Sequence, residues 1–232
     1  MTKHVTRLVT FSGIDGAGKT TQIESVCAEL IRRQNKLARV AFWDDVAVLS
    51  DLRAGVSLRV FRTKHAENTS GLRSDKNVRT WYLTILRSGF YLLDALSLRR
   101  VVARVRAGEP DFIVFDRYIY DQLVQIHARH WVARCFMRLL LGIAPTPDFA
   151  FVLDASPDEA FQRKPEYPLL FMPEYRQAFL RLRDLVPKLI VVSPAPIESV
   201  RQQLLQWLIP NSPMDDHDDV PATREATLSD SP

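Results

Sequence analysis

The segment that most restricts this chain is Gly13-Ile-Asp-Gly-Ala-Gly-Lys19-Thr20-Thr21-Gln22. It fits G-x-x-x-x-G-K-[ST]. It follows a short β-branched apolar run, Leu8 to Ser12, and opens a stretch of helical apolar spacing at Ile23, Val26, Cys27, Leu30 and Ile31. A strand, a glycine-rich turn and a helix in that order gather backbone N–H groups onto one anion. The glycines let the backbone curl, and the helix start adds the positive end of its dipole. Gly13, Asp15, Gly16, Ala17 and Gly18 form the cradle. Lys19 is a point charge for the β and γ phosphates, Thr20 a hydroxyl for Mg²⁺, and Thr21 a hydroxyl for the α phosphate. The segment predicts binding of a nucleoside triphosphate.

The remaining chain alternates between two periods. Strands are expected at Ala38 to Trp43, Phe112 to Phe115, Phe149 to Leu153 and Leu189 to Val192. Helices are expected over Asn77 to Arg106, Asp121 to Leu141, Pro157 to Arg163, Tyr175 to Leu185 and Pro196 to Leu208, with 44–77 the least regular stretch. Alternation implies βαβ units, and strands that are apolar throughout imply a sheet covered on both faces. The expected fold is therefore α/β: a three-layer sandwich of the P-loop NTPase kind, with a five-stranded parallel sheet and ligands at the carboxyl ends of its strands.

Composition narrows the function. Two cysteines, Cys27 and Cys135, with no C-x-x-C exclude a zinc ribbon or a disulfide scaffold. No run approaches the ~18 apolar residues of a membrane span, and the N-terminus has no signal-like apolar region, so a cytoplasmic protein is expected. The tail from Asn211 carries six acids and one base, a net −5, so the rest carries +9 against a total of +4. Residues 1–210 are read as the folded domain and 211–232 as a disordered acidic tail. A basic body suits a small anionic substrate, with no nucleic acid or membrane partner expected. Asn35-Lys36-Leu37-Ala38 lacks the aspartate of a guanine-reading N-K-x-D, which favours a small kinase over a GTPase. His127 and His130 have no evident third ligand for a metal site.

A second motif, Asp116-Arg117-Tyr118, ends the run Phe112-Ile-Val-Phe. A third is Leu153-Asp154-Ala-Ser-Pro157-Asp-Glu-Ala-Phe-Gln-Arg163. With the phosphate loop, in this order and spacing, they make the chain resemble the thymidylate kinase family over roughly residues 6–208. The resemblance implies ATP and Mg²⁺ as cofactors, a nucleoside monophosphate as substrate, and a homodimer as the frequent arrangement. It implies that Lys19, Arg117, Asp116 and Arg163 are catalytic. Asp116 would join Thr20 near the metal. Asp15 would face the acceptor's sugar hydroxyl, Arg117 would hold its phosphate, Tyr118 would line its pocket, and Arg163 would open a short lid at about 163–174. Phosphoryl transfer is mostly positioning and charge neutralisation, for which an arginine fork is suited.

The departures fall on the acceptor side. Where the family carries Arg-Glu-Pro, this chain has Phe42-Trp43-Asp44-Asp45; where it places a base-reading arginine, this chain has Asp94, with Arg87 two turns earlier as a substitute. After Arg117-Tyr118 it reads Ile119-Tyr120-Asp121-Gln122-Leu123. The pattern is that of a divergent paralogue, with dTMP the family's default acceptor. Two alternatives stand beside it. A neutral hydroxyl acceptor would need a carboxylate base, which Asp44 or Asp45 could supply. An ATP-binding switch without a small acceptor would signal through the basic Arg99–Arg106 face or the acidic tail.

Overall fold

The computed structural model describes residues 5–48, 76–126, 130–164 and 171–209. Its strands are β1 (Arg7–Ser12), β2 (Leu37–Ala41), β3 (Phe112–Asp116), β4 (Phe149–Leu153) and β5 (Leu189–Val192). All pair in parallel, in the order β2-β3-β1-β4-β5. This is the five-stranded α/β sheet that the alternating pattern predicts.

Leu8 and Val9 of β1 belong to different cores, so the strand is covered on both faces. Leu8 packs with Ile113, Phe115, Ala150 and Val152 beneath Ala95, Leu98 and Val102 of α2 (Lys76–Arg106) and Met137 and Leu140 of α4 (Trp131–Ile143). Val9 and Phe11 pack on the opposite face beneath Ile23, Val26 and Leu30 of α1 (Lys19–Arg32) and Val200, Leu204 and Leu208 of α7 (Ile197–Leu208). Each fully buried Leu or Phe contributes about 1.5–3 kcal/mol relative to exposure. Three shorter helices complete the set: α3 (Tyr120–Leu123), α5 (Pro157–Arg163) and α6 (Met172–Arg181). Among the described residues, no helix is long and apolar enough to cross a membrane.

The order of the strands decides where a ligand can sit. From β1 the chain runs out to edge strand β2, returns to β3 beside β1, and then crosses to β4 on the other side. Connections on either side of β1 thus diverge, opening a crevice at its carboxyl end.

Three boundaries differ from the sequence expectation. The second strand stops at Ala41 rather than Trp43, because the Asp45 Oδ2 atom accepts the Ala41 N–H at 2.7 Å and residues Phe42–Val46 close a single π turn. The helix expected over Asp121 to Leu141 is divided into α3 and α4. The expected helix from Tyr175 begins at Met172 and ends in a 3₁₀ turn, Leu182–Asp184. Half of the expected lid (165–170), the tail (211–232) and His127 lie outside the described residues.

Candidate active site

The loop after β1 depends on glycine at specific points. Gly13, Gly16 and Gly18 have φ of +139°, +84° and +80°, where L side chains are strained. A Cβ on Gly13 would overlap the Leu153 carbonyl oxygen, and one on Gly16 would overlap that of Ala160. The backbone is therefore pressed against the end of β4 and the second turn of α5. Helix α1 begins at once at Lys19, with no side-chain cap and no acid in its first turn. Its first N–H groups thus face the same crevice as the loop.

Four charged side chains interlock beside that loop. Lys19 is buried, and its Nζ donates to the Gly13 and Ile14 carbonyls at 2.8 Å each and lies 3.6 Å from Asp15 Oδ1. Burial, and secondly the charge of Arg117, pull its pKa below the ordinary lysine value. Arg117 follows β3 in the left-handed region at φ +67°, with its N–H donating to the Phe11 carbonyl at 2.9 Å. That conformation costs on the order of 1–3 kcal/mol in a non-glycine residue. It folds the guanidinium back over the end of β1, where Nη2 donates to Asp15 and Nη1 to Asp121 Oδ1 at 3.3 Å.

Asp121 is wholly buried, and its Oδ2 accepts Ser12 Oγ–H at 2.6 Å and the Tyr118 N–H at 3.2 Å. Burial raises its carboxyl pKa, against the opposing pull of Arg117, Lys19 and Ser12. For Arg117 the balance falls the other way. Burial disfavours its charge, but the Asp121 and Asp15 carboxylates outweigh that and its pKa is raised.

The other residues singled out in the sequence divide into two groups. Asp116 is half-buried at the end of β3, in register with Phe11 and Ala41, with Oδ2 at 3.7 Å from Arg39 Nη2. Thr20 and Thr21 are exposed in the first turn of α1. Arg163, exposed at the end of α5, donates to the Gly16 carbonyl at 3.4 Å and to Glu159 at 3.2 Å. These residues lie around the loop with Asp15, Ala17, Lys19 and Arg117.

Tyr118 does not join them. It is 1 % exposed, packs on Phe115 and Tyr120, and donates its hydroxyl to the Pro145 carbonyl; burial raises its phenol pKa. Its ring belongs to the core rather than to the loop's surroundings. Arg87 is exposed on α2 and bonded to Tyr91 and Gln125, reaching the cluster only through Gln125, whose Nε2 donates to the Asp121 carbonyl at 3.3 Å. Asp44 is exposed in the turn after β2. Asp94 is wholly buried and holds backbone: its Oδ1 accepts the Val48 N–H at 2.7 Å, and Oδ2 accepts from Gln122 Nε2.

The residues fit a nucleotide with its metal. Gly18 has open space where a Cβ would stand, while Gly13 and Gly16 hold the loop backbone against β4 and α5. The Thr20 hydroxyl and Asp116 carboxylate are oxygen donors beside the loop, the hard type that Mg²⁺ takes when phosphates supply most of its shell.

Comparison with known proteins bears on this geometry. No family model matches the chain. It is similar to a probable thymidylate kinase of Archaeoglobus fulgidus, with 26% identity over 208 residues, 85% of this chain and 92% of that one. A probable thymidylate kinase of Methanosphaera stadtmanae is 21% identical over 213 residues, 86% and 98% of the two chains. The crystal structure of thymidylate kinase from Ehrlichia chaffeensis superposes with a TM-score of 0.53 and 19% identity over 88% of this chain and 98% of that one.

The chain is thus similar to thymidylate kinases over most of its length, at 26% identity or less. The solved structure shares its fold.

Two supports of this site were not read from the sequence as site residues. Asp121 braces Arg117, and Ser12 in turn holds Asp121; the four-residue spacing from Arg117 to Asp121 was the available signal. Arg176 on α6 makes two 2.6 Å hydrogen bonds to Asp154 at the end of β4, from a position that carries no local signature.

Proposed function

We propose that this chain is an ATP- and Mg²⁺-dependent cytoplasmic phosphotransferase that moves the γ-phosphoryl of ATP to a nucleoside monophosphate, with dTMP as the acceptor. The observation that supports it most is the placement of Arg117. One side chain spans the phosphate loop, through Asp15, and α3, through Asp121, so a fixed guanidinium stands beside the Lys19 ammonium.

On this reading the loop N–H groups and Lys19 bind the donor's phosphates. Arg117 presents its fork to the acceptor phosphate and draws it towards them. An ionised phosphate needs this clamp more than it needs a base. Arg163 adds charge from α5. Thr20 and Asp116 would hold Mg²⁺, which neutralises phosphate charge when bound. Asp15 and Asp121 hold the arginine in one rotamer, which serves positioning.

A second reading rests on β2. Asp45 is engaged by the Ala41 N–H, whereas Asp44 is exposed one residue earlier and could accept a proton from a hydroxyl acceptor.

The test is ADP release from ATP and Mg²⁺ with dTMP, dUMP, thymidine or no acceptor, using Lys19→Ala as the blank. Stimulation by dTMP above thymidine and above no acceptor, lost in Arg117→Ala, supports the nucleotide kinase. Stimulation by thymidine, lost in Asp44→Asn, supports the second reading. ATP binding without stimulation by any acceptor rejects both and leaves a nucleotide-dependent switch.

A further inference from the structure

The pole of the molecule opposite the phosphate loop carries a second charged feature. Helix α2 runs against the strands and ends at Arg106, just before the chain enters β3. Its last turns present Arg99, Arg100, Arg104 and Arg106, all exposed, with no acid between Asp94 and Glu109. Among the described residues none of these four has an ion-pair partner. Arg99 and Arg106 flank a groove of about 330 Å³ whose floor is apolar: Val102 and Ala103 from α2, and Ile143 and Pro145 from the end of α4.

Helix α7 ends at the same pole. Arg7 Nη1, at the start of β1, donates to the Leu208 carbonyl at 2.8 Å. Ile209 stands beside Arg7, Asp111 and Phe112, a few residues of chain from Arg106. The sequence then continues as Met214-Asp215-Asp216-His217-Asp218-Asp219-Val220, within a tail of net −5.

We propose that the acidic run Asp215–Asp219 of the chain's own tail docks on the arginine-flanked groove between α2 and α4. Charge complementarity identifies the occupant, and the spacing agrees with it. Arg99 and Arg106 are separated by about 10 Å along the helix. Carboxylates three residues apart, Asp215 and Asp218 or Asp216 and Asp219, lie on one side of a polyproline II segment and are separated by about 9 Å. Met214 and Val220 bracket the acids with apolar side chains suited to the Val102 and Ile143 floor. The tether supplies an effective concentration on the order of millimolar, so individually weak ion pairs suffice. The phosphate loop lies at the other ends of the strands, so docking is independent of the proposed reaction.

The experiment is a distance measurement in the full-length protein, between a label on the exposed native Cys135 of α4 and one on Thr223→Cys in the tail; Cys27 is buried. A short-distance population is expected at low ionic strength. It should fall about fivefold or more near 1 M salt, where the screening length drops to ~3 Å. Arg99→Gln/Arg106→Gln, and separately the Asp→Asn change at 215, 216, 218 and 219, should reproduce that fall at low salt. A charge swap, Arg99→Glu/Arg106→Glu with the four aspartates changed to lysine, should restore the short distance.

No short population at low salt overturns the proposal. So does a short population that survives Arg99→Gln/Arg106→Gln, which would place the tail elsewhere. A short population lost on dilution with unlabelled protein also overturns it, since the occupant is then the tail of a second copy.

Discussion

The carboxyl ends of β1 and β2 both carry aspartates, and they use them differently. At the end of β1, Asp15 and Asp121 face Lys19 and Arg117, charge against charge. At the end of β2, Asp45 accepts the Ala41 N–H, and nearby Asp94 accepts the Val48 N–H. Buried ion pairs repay their desolvation poorly and are weak devices for stability. A carboxylate on a backbone N–H is an efficient way to fix a turn. The β1 end therefore reads as a site whose charges are kept for a ligand. The β2 end reads as a brace, with exposed Asp44 left over.

The sharpest way to break this contrast is to remove charge at the β1 end. Lys19→Ala should lower turnover by about 10²–10³-fold, as losing a preorganised donor does elsewhere, with the fold kept by circular dichroism. Loss under tenfold would mean the loop is not where phosphate charge is neutralised.

Arg117→Ala should raise the acceptor's KM and cost about 10²-fold in kcat/KM. It also leaves Asp121 buried without its main counter-charge, so stability should fall by about 3–5 kcal/mol and the activity must be measured well below the new Tm. Arg117→Lys keeps the charge and loses the fork, so it should recover stability more than activity.

At the β2 end the order should reverse. Asp94→Ala leaves the Val48 N–H and the Gln122 amide short of a partner, and should cost about 1–3 kcal/mol in stability while the KM for ATP stays within about twofold. A large rise in that KM would show that the brace is part of the site. Asp44→Asn should change neither by more than about 0.5 kcal/mol, as for an ordinary surface substitution, unless a hydroxyl acceptor is the substrate.

Away from both ends, Glu29 gives a small effect with a pH signature. Hydrogen bonds from Arg32 and Arg33 hold its carboxyl at about 2, against 4.5 unperturbed. A depressed carboxylate stabilises the fold above its unfolded pKa, and that contribution fades as pH falls from about 4.5 towards 2. Glu29→Gln should therefore lower stability by about 1 kcal/mol at neutral pH, since Arg32 is well exposed and screened. The gap should close near pH 2; a gap independent of pH would assign the effect to packing.

Much of the fold was legible in the sequence because its signals are local. Five apolar runs marked five strands, and helical spacing marked the covering helices. The loop was legible because G-x-x-x-x-G-K-[ST] states a backbone requirement in consecutive letters, and the structure meets it with three glycines at positive φ. The end of β2 was less legible: the apolar pattern continued through Phe42 and Trp43, while a hydrogen bond from the Ala41 N–H to the Asp45 carboxylate ended the strand.

By itself the sequence determined the α/β class, the strand–loop–helix unit and the residues that can cradle phosphate, all from near neighbours in the chain. Only the tertiary structure decided which charges meet. Ser12 bonds Asp121 across 109 positions and Arg117 bonds Asp15 across 102, because strand order places β3 beside β1. It also decided that Tyr118 faces the core and that Asp94 holds a backbone N–H. A residue type fixes what a side chain can bond; packing fixes what lies within about 3 Å of it.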